Sequence, residues 1–319
     1  MKISVIMASY NGARYITEQL NSIDNQSVNP DEIIIVDDAS DDNTKELIKT
    51  FFEDTDITGR LVEHTKNIGY RDTFFDALSY AAGDVIFLCD QDDVWQSDKI
   101  EKMLKVMKDN ESVKALNTSY KLIDCDGNEI SEGIRNGRRN KDKRKLYGIS
   151  LEQVLSYNAA MGCTMAFTSD IKDLLLEHIN EKKTYNIPHD WIINIAAALS
   201  DGLYMLNEEL IYYRLHGDNT IGLNRAATIE KRIKDYEEMS GQKMDMLKLL
   251  KLLDRNAYEK EYNFMKLMVK SYHIRCEMLG RKSIAAYLRN YKRYNLKRVM
   301  DKKTMLYDLY LIKKKNKPD

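Results

Sequence analysis

The sequence predicts an α/β fold: a mostly parallel sheet covered by helices on both faces, followed by a C-terminal helical region. Runs that are apolar throughout, at residues 3–7, 33–36 and 85–89, alternate with segments of helical periodicity. Strands buried on both faces of a parallel sheet read this way, because crossover helices cover both sides. Polar clusters follow, at 8–12, 37–42, 66–71 and 90–93. Loops after such strands gather at one edge of the sheet, where open α/β proteins bind ligands.

Taken in order, residues 2–7 form a strand, and 14–25 an amphipathic helix carrying Ile16, Leu20 and Ile23. Residues 32–36 are a second strand, and 42–52 a helix capped by Asp41 or Asp42. A weak strand at 60–64 precedes a helix at 70–82 that Gly83 ends, and 85–89 is a strong fourth strand. Beyond residue 110 the pattern loosens. Residues 113–124 read as a strand, Asp126-Gly127-Asn128 as a turn, and 135–145 as a basic, mobile segment. A helix, a turn at Gly162 and another helix fill 151–178; a buried helix at 191–199 and a strand at 209–213 follow.

Composition sets the class. At 319 residues, 43% apolar and 31% charged, the chain has ample core for a globular protein. Its net charge of −1 conceals a division, with 24 basic and 38 acidic residues in 1–224 against 25 and 12 in 225–319. Two regions, 1–224 and 225–319, are therefore expected. Four scattered cysteines read as reduced thiols, and the strand at the very start leaves no room for a leader. With no apolar stretch near the ~20 residues that span a bilayer, a cytoplasmic protein with at most peripheral membrane contact is expected.

The densest chemistry is Asp90-Gln91-Asp92-Asp93, directly after the strand at 85–89. Carboxylates crowded at the end of a buried strand repel one another unless a cation sits among them. Oxygen ligands suit Mg²⁺ or Mn²⁺, which commonly share their shell with phosphates. A polar loop capping the next helix is the competing reading, although Asp98 could serve that cap itself.

Residues 5–12 (VIMASYNG), 35–42 (IVDDASDD), Asn67-Ile68-Gly69 and 90–95 (DQDDVW) stand in the order seen in glycosyltransferase family 2, which the first 220 residues or so resemble. The resemblance implies a GT-A (Rossmann-like) fold and inverting transfer from a nucleotide sugar. The Asp-Gln-Asp-Asp-Val-Trp version is most similar to bacterial rhamnosyltransferases of polysaccharide assembly, which implies dTDP-L-rhamnose, or else a UDP-hexose, as donor. It places Ala8, Tyr10, Asp38, Asn67, Arg71 and Asp90 around the donor and Asp92 on the metal, with Asp93 capping or holding the turn. In Pro188-His189-Asp190-Trp191 it makes Asp190 the general base, where family members commonly have an acidic residue in place of His189. In the loop at 213–220 it makes His216 a further metal ligand. Gly162 is expected on the acceptor side and Cys163 as a packing residue; Trp95 and Trp191 could form sugar platforms there or equally pack in the core.

An aromatic such as Tyr10 can stack on a base, Asp38 can accept from a base N–H, and a carboxylate such as Asp190 can take a hydroxyl proton. The membrane spans of processive synthases are absent, which favours single additions to a saccharide or lipid-linked acceptor. In the basic tail, Ile284, Tyr287, Leu288, Tyr291 and Tyr294 recur at helical spacing among Arg289, Lys292, Arg293, Lys297 and Arg298. This suits an anionic membrane surface or a homodimer contact; nucleic acid is disfavoured by the acidic front. A sugar-phosphate nucleotidyltransferase would need a Gly-rich basic loop after the first strand, where Ala8–Gly12 stands. A non-catalytic scaffold would not need Asp92, Asp190 and His216.

Overall fold

A computed structural model describes residues 1–130, 144–158, 161–179, 186–217, 228–254 and 258–315. Most of the basic segment expected at 135–145, and residues 218–220 of the closing loop, lie outside them. The chain forms two compact units: Met1–Lys183 with Pro188–Asn219, and Thr184–Ile187 with Thr220–Asp319.

The first unit opens as a βαβ series: β1 (Ile3–Ser9), α1 (Ile16–Asp24), β2 (Glu32–Asp37), α2 (Thr44–Asp54), β3 (Thr58–Glu63), α3 (Tyr70–Tyr80) and β4 (Val85–Cys89). It continues with β5 (Val94–Trp95), α4 (Lys99–Asp109), β6 (Ala115–Ile123), β7 (Leu146–Gly148), α5 (Leu151–Ser156), β8 (Met165–Thr168), α6 (Ser169–Ile179), α7 (His189–Ala198) and β9 (Leu203–Arg214). The sheet order is β3-β2-β1-β4-β8-β6-β9-β5, with β7 also on β9.

Strands β3, β2, β1 and β4 are parallel, as their apolar runs require. The other half is mixed, because β8 runs antiparallel between β4 and β6, and only β6 and β9 are parallel to each other there. The predicted turn at Gly162 in fact leads into β8, a four-residue strand too short to show a period. Side chains alternate across the sheet. Ile3, Val5, Met7, Ile33 and Ile35 join Ile16, Leu20, Ile48 and Met103 in one core, so α1, α2 and α4 cover that face. The opposite face is covered by α3, which packs on β1, β2 and α7.

Register positions the loops. Ser9 pairs with Asp37, and Met7 with Cys89, so the segments after β1, β2 and β4 emerge side by side.

In the second unit, α8 (Ile229–Asp254), α9 (Glu259–Gly280), α10 (Ile284–Arg293) and α11 (Lys302–Lys315) enclose Tyr236, Met278, Leu279, Tyr287, Leu296 and Ile312. Fully buried Asp308 on α11 accepts from Arg232 Nε (3.0 Å) and the hydroxyls of Tyr236 and Tyr287. A buried carboxylate is tolerable only when satisfied in this way.

Candidate active site

Two loops interlock at the sheet edge. Buried Asp37 accepts from Ser9 Oγ (2.8 Å) and from the Ser40 N–H and Oγ (2.8 and 2.6 Å). Ser40 Oγ in turn accepts from the Asn11 N–H (2.9 Å), and Asn11 Oδ1 from the Asp41 N–H (2.9 Å). Asn11 sits at φ +48°, a left-handed conformation that asparagine tolerates better than most residues. This scaffold holds Tyr10 exposed and Ala8 half-exposed at the rim. Asp42 does not cap α2 in the expected way, since the helix starts later, at Thr44. Its carboxylate accepts from the Ala13 N–H (3.1 Å) and the Thr44 N–H (3.0 Å), tying the loops together.

Asp38, expected at the donor's base pocket, lies beneath the surface at 2% exposure. Its oxygens accept from the N–H groups of Ile68 and Gly69 (both 2.8 Å) and meet His64 Nδ1 (2.9 Å). Burial pushes this carboxyl up, but those bonds outweigh burial and hold it below the usual range. Asp38 thus shapes the Asn67-Ile68-Gly69 loop from behind. Asn67 is exposed on that loop, whereas the Arg71 guanidinium is drawn to its neighbour Asp72 (2.7–2.8 Å).

Gln91 clamps the acidic turn to the first loop. Its Oε1 accepts from the Tyr10 N–H (2.9 Å) and its Nε2 donates to the Tyr10 carbonyl (3.0 Å). A Cβ on Gly12 would lie 2.2 Å from that Oε1, so the clamp needs glycine there. Arg214, at the end of β9, holds the other side: its N–H donates to Asp93 Oδ1 (3.0 Å), its Nε to the Asp92 carbonyl (2.8 Å), and its guanidinium to Glu18. Two residues on, His216 Nε2 stands 2.7 Å from Asp92 Oδ2.

Of the other two carboxylates, Asp93 is buried and Asp90 part-exposed. They cluster with Cys163, and Asp93 Oδ2 is buried with no hydrogen-bond partner among the described residues. Burial and mutual repulsion raise both, Asp90 to about 7. Lys99 supplies an internal cation. Its buried ammonium donates to the Cys163 carbonyl (2.8 Å) and lies 3.7 Å from the Trp95 ring centroid; burial lowers its pKa to about 8. Burial likewise pushes the Cys163 thiol up, which makes it a poor nucleophile and a poor ligand.

Asp190 is the second residue of α7, inside the helix rather than before it. Burial raises its carboxyl to about 6, opposed by hydrogen bonds from Asn158 Nδ2 (2.8 Å) and from the N–H groups of Trp191 (2.7 Å) and Gly162. It is close enough to Asp90 for the two charges to raise the latter's pKa. Behind it runs a relay of amides: Asn117 Nδ2 donates to Asn194 Oδ1 (3.0 Å), and Asn194 Nδ2 to Asn158 Oδ1 (3.3 Å). Gly162 packs tightly here, as a Cβ would stand 3.1 Å from His189 Nε2 and 3.4 Å from Asp190 Cβ. The His189 ring stacks on Phe74 at 4.0 Å with both nitrogens buried and without a hydrogen-bond partner among the described residues, and burial lowers its pKa to about 3.

Both tryptophans are core residues, which is the second of the two readings their sequence left open. Trp95 packs against Phe87 and the Lys99 ammonium, and Trp191 donates its indole N–H to the Val154 carbonyl (2.7 Å). A buried ring has no face left for a sugar. Sequence reasoning missed Gln91, Lys99, Arg214, Asn117, Asn158 and Asn194. Of these, Lys99 carried a signal: it falls among apolar helix positions, where lysine is rare unless paired.

The residues fit a hard divalent cation. Asp92 and His216 present oxygen and nitrogen 2.7 Å apart, close to the ~3 Å between neighbouring ligands of a six-coordinate ion. Both are part-exposed, whereas Asp93 and Cys163 of the Asp90–Asp93–Cys163 group are buried, which makes Asp92–His216 the better candidate.

The sequence pattern of Glycosyl transferase family 2 matches residues 4–171. An uncharacterized glycosyltransferase of Nostoc sp. is 28% identical over 244 residues, 76% of this chain and 74% of that one. The Bacillus subtilis protein named "Putative teichuronic acid biosynthesis glycosyltransferase TuaG" is 27% identical over 237 residues, 74% of this chain and 88% of its own. Among solved structures, S. aureus TarS 1–349 in complex with UDP-GlcNAc aligns at TM-score 0.59 with 16% identity, over 94% of this chain and 89% of that one. The mannosyltransferase PcManGT of Pyrobaculum calidifontis, in complex with GDP-Man and Mn²⁺, aligns at 0.55 with 19% identity, over 99% and 86%. The two solved structures share the fold, and the family match covers more than half of the chain, which therefore belongs to glycosyltransferase family 2 and is a glycosyltransferase.

Proposed function

We propose that this protein transfers a sugar, with inversion, from a nucleoside diphosphate to an acceptor hydroxyl, and that Asp190 is the base. The observation that carries this reading is the meeting of Asp190 with Asp90 and the Asp92–His216 pair at one sheet edge, around Gly162-Cys163. Asp190 would accept the hydroxyl proton as the acceptor oxygen bonds the anomeric carbon and the bond to the diphosphate breaks. Its pKa of about 6 leaves it mostly ionised at neutral pH, yet far more basic than an ordinary aspartate. Asp92 and His216 would hold Mg²⁺ or Mn²⁺, which supplies charge neutralisation at the leaving diphosphate. Tyr10, Ala8 and Asn67 form the rim on which the base would lie; Asp38 shapes it, and Asp90 stands toward the ribose side.

A nucleotide-sugar donor is supported by neighbours solved with UDP-GlcNAc and with GDP-Man and Mn²⁺. A saccharide or lipid-linked acceptor in polysaccharide assembly is supported by the likeness to TuaG. For the sugar, dTDP-L-rhamnose rests on the Asp-Gln-Asp-Asp-Val-Trp turn, and a UDP-hexose is the second reading because the TarS structure holds UDP-GlcNAc.

A panel of nucleotide sugars with and without Mn²⁺, read by thermal shift and then by transfer, tests the proposal. A ligand at about 100 times its Kd stabilises by ~2.7 kcal/mol. Asp92→Ala is expected to abolish the Mn²⁺-dependent part of that shift. Asp190→Asn is expected to keep donor binding and lose transfer by at least ~10²-fold. Near-normal transfer by Asp190→Asn refutes the base assignment, and no shift with any nucleotide refutes the donor class.

A further inference from the structure

The second unit carries charge that its own core does not use. From 281 to 315 the chain holds 12 Lys and Arg against two acidic residues, Asp301 and Asp308. Asp308 is buried and satisfied within the helices, so it offsets nothing at the surface. Apolar side chains stand among the surplus cations. Leu306 and Tyr310 on α11 are 59% and 55% exposed, among the most exposed large apolar residues described. Four residues apart, they share one face of the helix. At about 100° per residue they point roughly 160–200° away from buried Asp308, directly outward. Exposed Lys302, Lys303, Lys313 and Lys314 bracket the stripe, and none is ion-paired among the described residues. Helix α10 repeats the arrangement: Ile284 and Leu288 are exposed four residues apart, while Tyr287 turns inward to hydrogen-bond Asp308 of α11.

The choice of occupant follows from charge. A second copy would bring the same surplus of cations to the stripe, and like charges oppose that contact. A soluble polyanion would engage the lysines and leave Leu306 and Tyr310 in water. An anionic bilayer satisfies both, because headgroup phosphates attract the ammonium groups while leucine and tyrosine enter the interface. No described helix is long and apolar enough to cross a membrane, so the contact would lie in the plane of the surface. We propose that the outward face of α11, together with the exposed stripe of α10, seats this protein on anionic phospholipid.

The test is co-sedimentation of the full chain with vesicles of about 30% phosphatidylglycerol in phosphatidylcholine, beside vesicles of phosphatidylcholine alone. Binding is expected only to the anionic vesicles, and is expected to fall as salt rises from about 0.1 to 0.5 M. Each lysine at such a surface is worth about fivefold in partitioning. Lys302→Glu with Lys313→Glu should therefore lower binding by at least ~25-fold. Leu306→Ser with Tyr310→Ser should lower it by ~10-fold or more, with an unchanged melting temperature because both positions face outward. Equal binding to both vesicle types, or to neither, overturns the proposal. Full retention of binding by the Leu306/Tyr310 variant reduces it to polyanion adsorption and also overturns it. So does a solution dimer that the same variant splits. No donor is present in this assay, so its outcome is independent of the transferase chemistry.

Discussion

Asn158 is the sharpest place to test the base. Its side-chain N–H donates to Asp190 Oδ2 at 2.8 Å, alongside the N–H groups of Trp191 and Gly162, and these bonds oppose the upward push of burial that brings Asp190 to about 6. Replacing Asn158 with leucine removes one of three donors, and with it the acceptor of Asn194 Nδ2, while keeping the branched outline of the side chain. A hydrogen bond to a charged group is worth ~1.5–3 kcal/mol. Allowing about half of the upper figure for readjustment by the other two donors leaves ~1.5 kcal/mol against the ionised form, or about one pKa unit. The carboxyl then titrates near about 7 in place of about 6. Because only the ionised form accepts a proton, the acid limb of the transfer rate must move up by the same amount. At pH 6.5 the ionised fraction falls from ~0.76 to ~0.24, a threefold loss, whereas at pH 8.5 the rates nearly coincide. Initial rates at saturating donor between pH 5 and 9 read this directly. A limb that stays in place, or a loss of equal size at every pH, refutes the role given to Asn158 and weakens that of Asp190.

Other expectations follow from the same geometry. Gly162→Ala places a methyl 3.4 Å from Asp190 Cβ and 3.1 Å from His189 Nε2. The nearer contact asks His189 to give by a few tenths of an ångström; since a displacement of about 1 Å can cost ~10²-fold, kcat should fall several-fold while donor binding by thermal shift persists. Gln91→Leu unties the acidic turn from Tyr10, where two hydrogen bonds now hold it; each is worth ~1 kcal/mol, and the donor KM should rise several-fold with kcat less affected. His189 tests the linkage of pH to stability. Its folded pKa of about 3 lies below the ordinary 6.5, so its neutral form is favoured by folding, and stability present above pH 6.5 is lost on acidification. Between pH 6.5 and 5 that amounts to ~1.6 kcal/mol. Asp90 and Asp190, raised to about 7 and about 6, act in the opposite sense, since their protonation relieves the fold as pH falls. The difference between wild type and His189→Phe in urea unfolding isolates the histidine, and equal acid sensitivity of the two proteins would refute its buried, neutral state.

The βαβ half was legible in the sequence because strands covered on both faces are apolar throughout, and 3–7, 33–36 and 85–89 stand out for that reason. Strand β8 was not, since Met165–Thr168 reads as the start of the helix that follows it. The same contrast runs through the site. Asp92 and His216 were nominated 124 positions apart, and the fold brings them to 2.7 Å. Their chemistry is unusual enough to be noticed singly. Asn117, Asn158 and Asn194 were missed because an asparagine has no distinctive pattern until its partner is known. The two tryptophans show what burial adds: residue type left platform and core open, and the fold packs both in the core.

What the sequence by itself determined is the class of fold, the family and the acidic turn, because periodicity and motif order are properties of the chain alone. Which carboxylate does what was a matter for tertiary structure. Asp90, Asp92 and Asp93 are near neighbours in the chain, yet one pairs with His216, one is buried beside Cys163 and fixed by the Arg214 N–H, and one is part-exposed and feels Asp190. Burial and long-range partners set the charge and direction of each, and neither exists until β4, β8 and β9 come together.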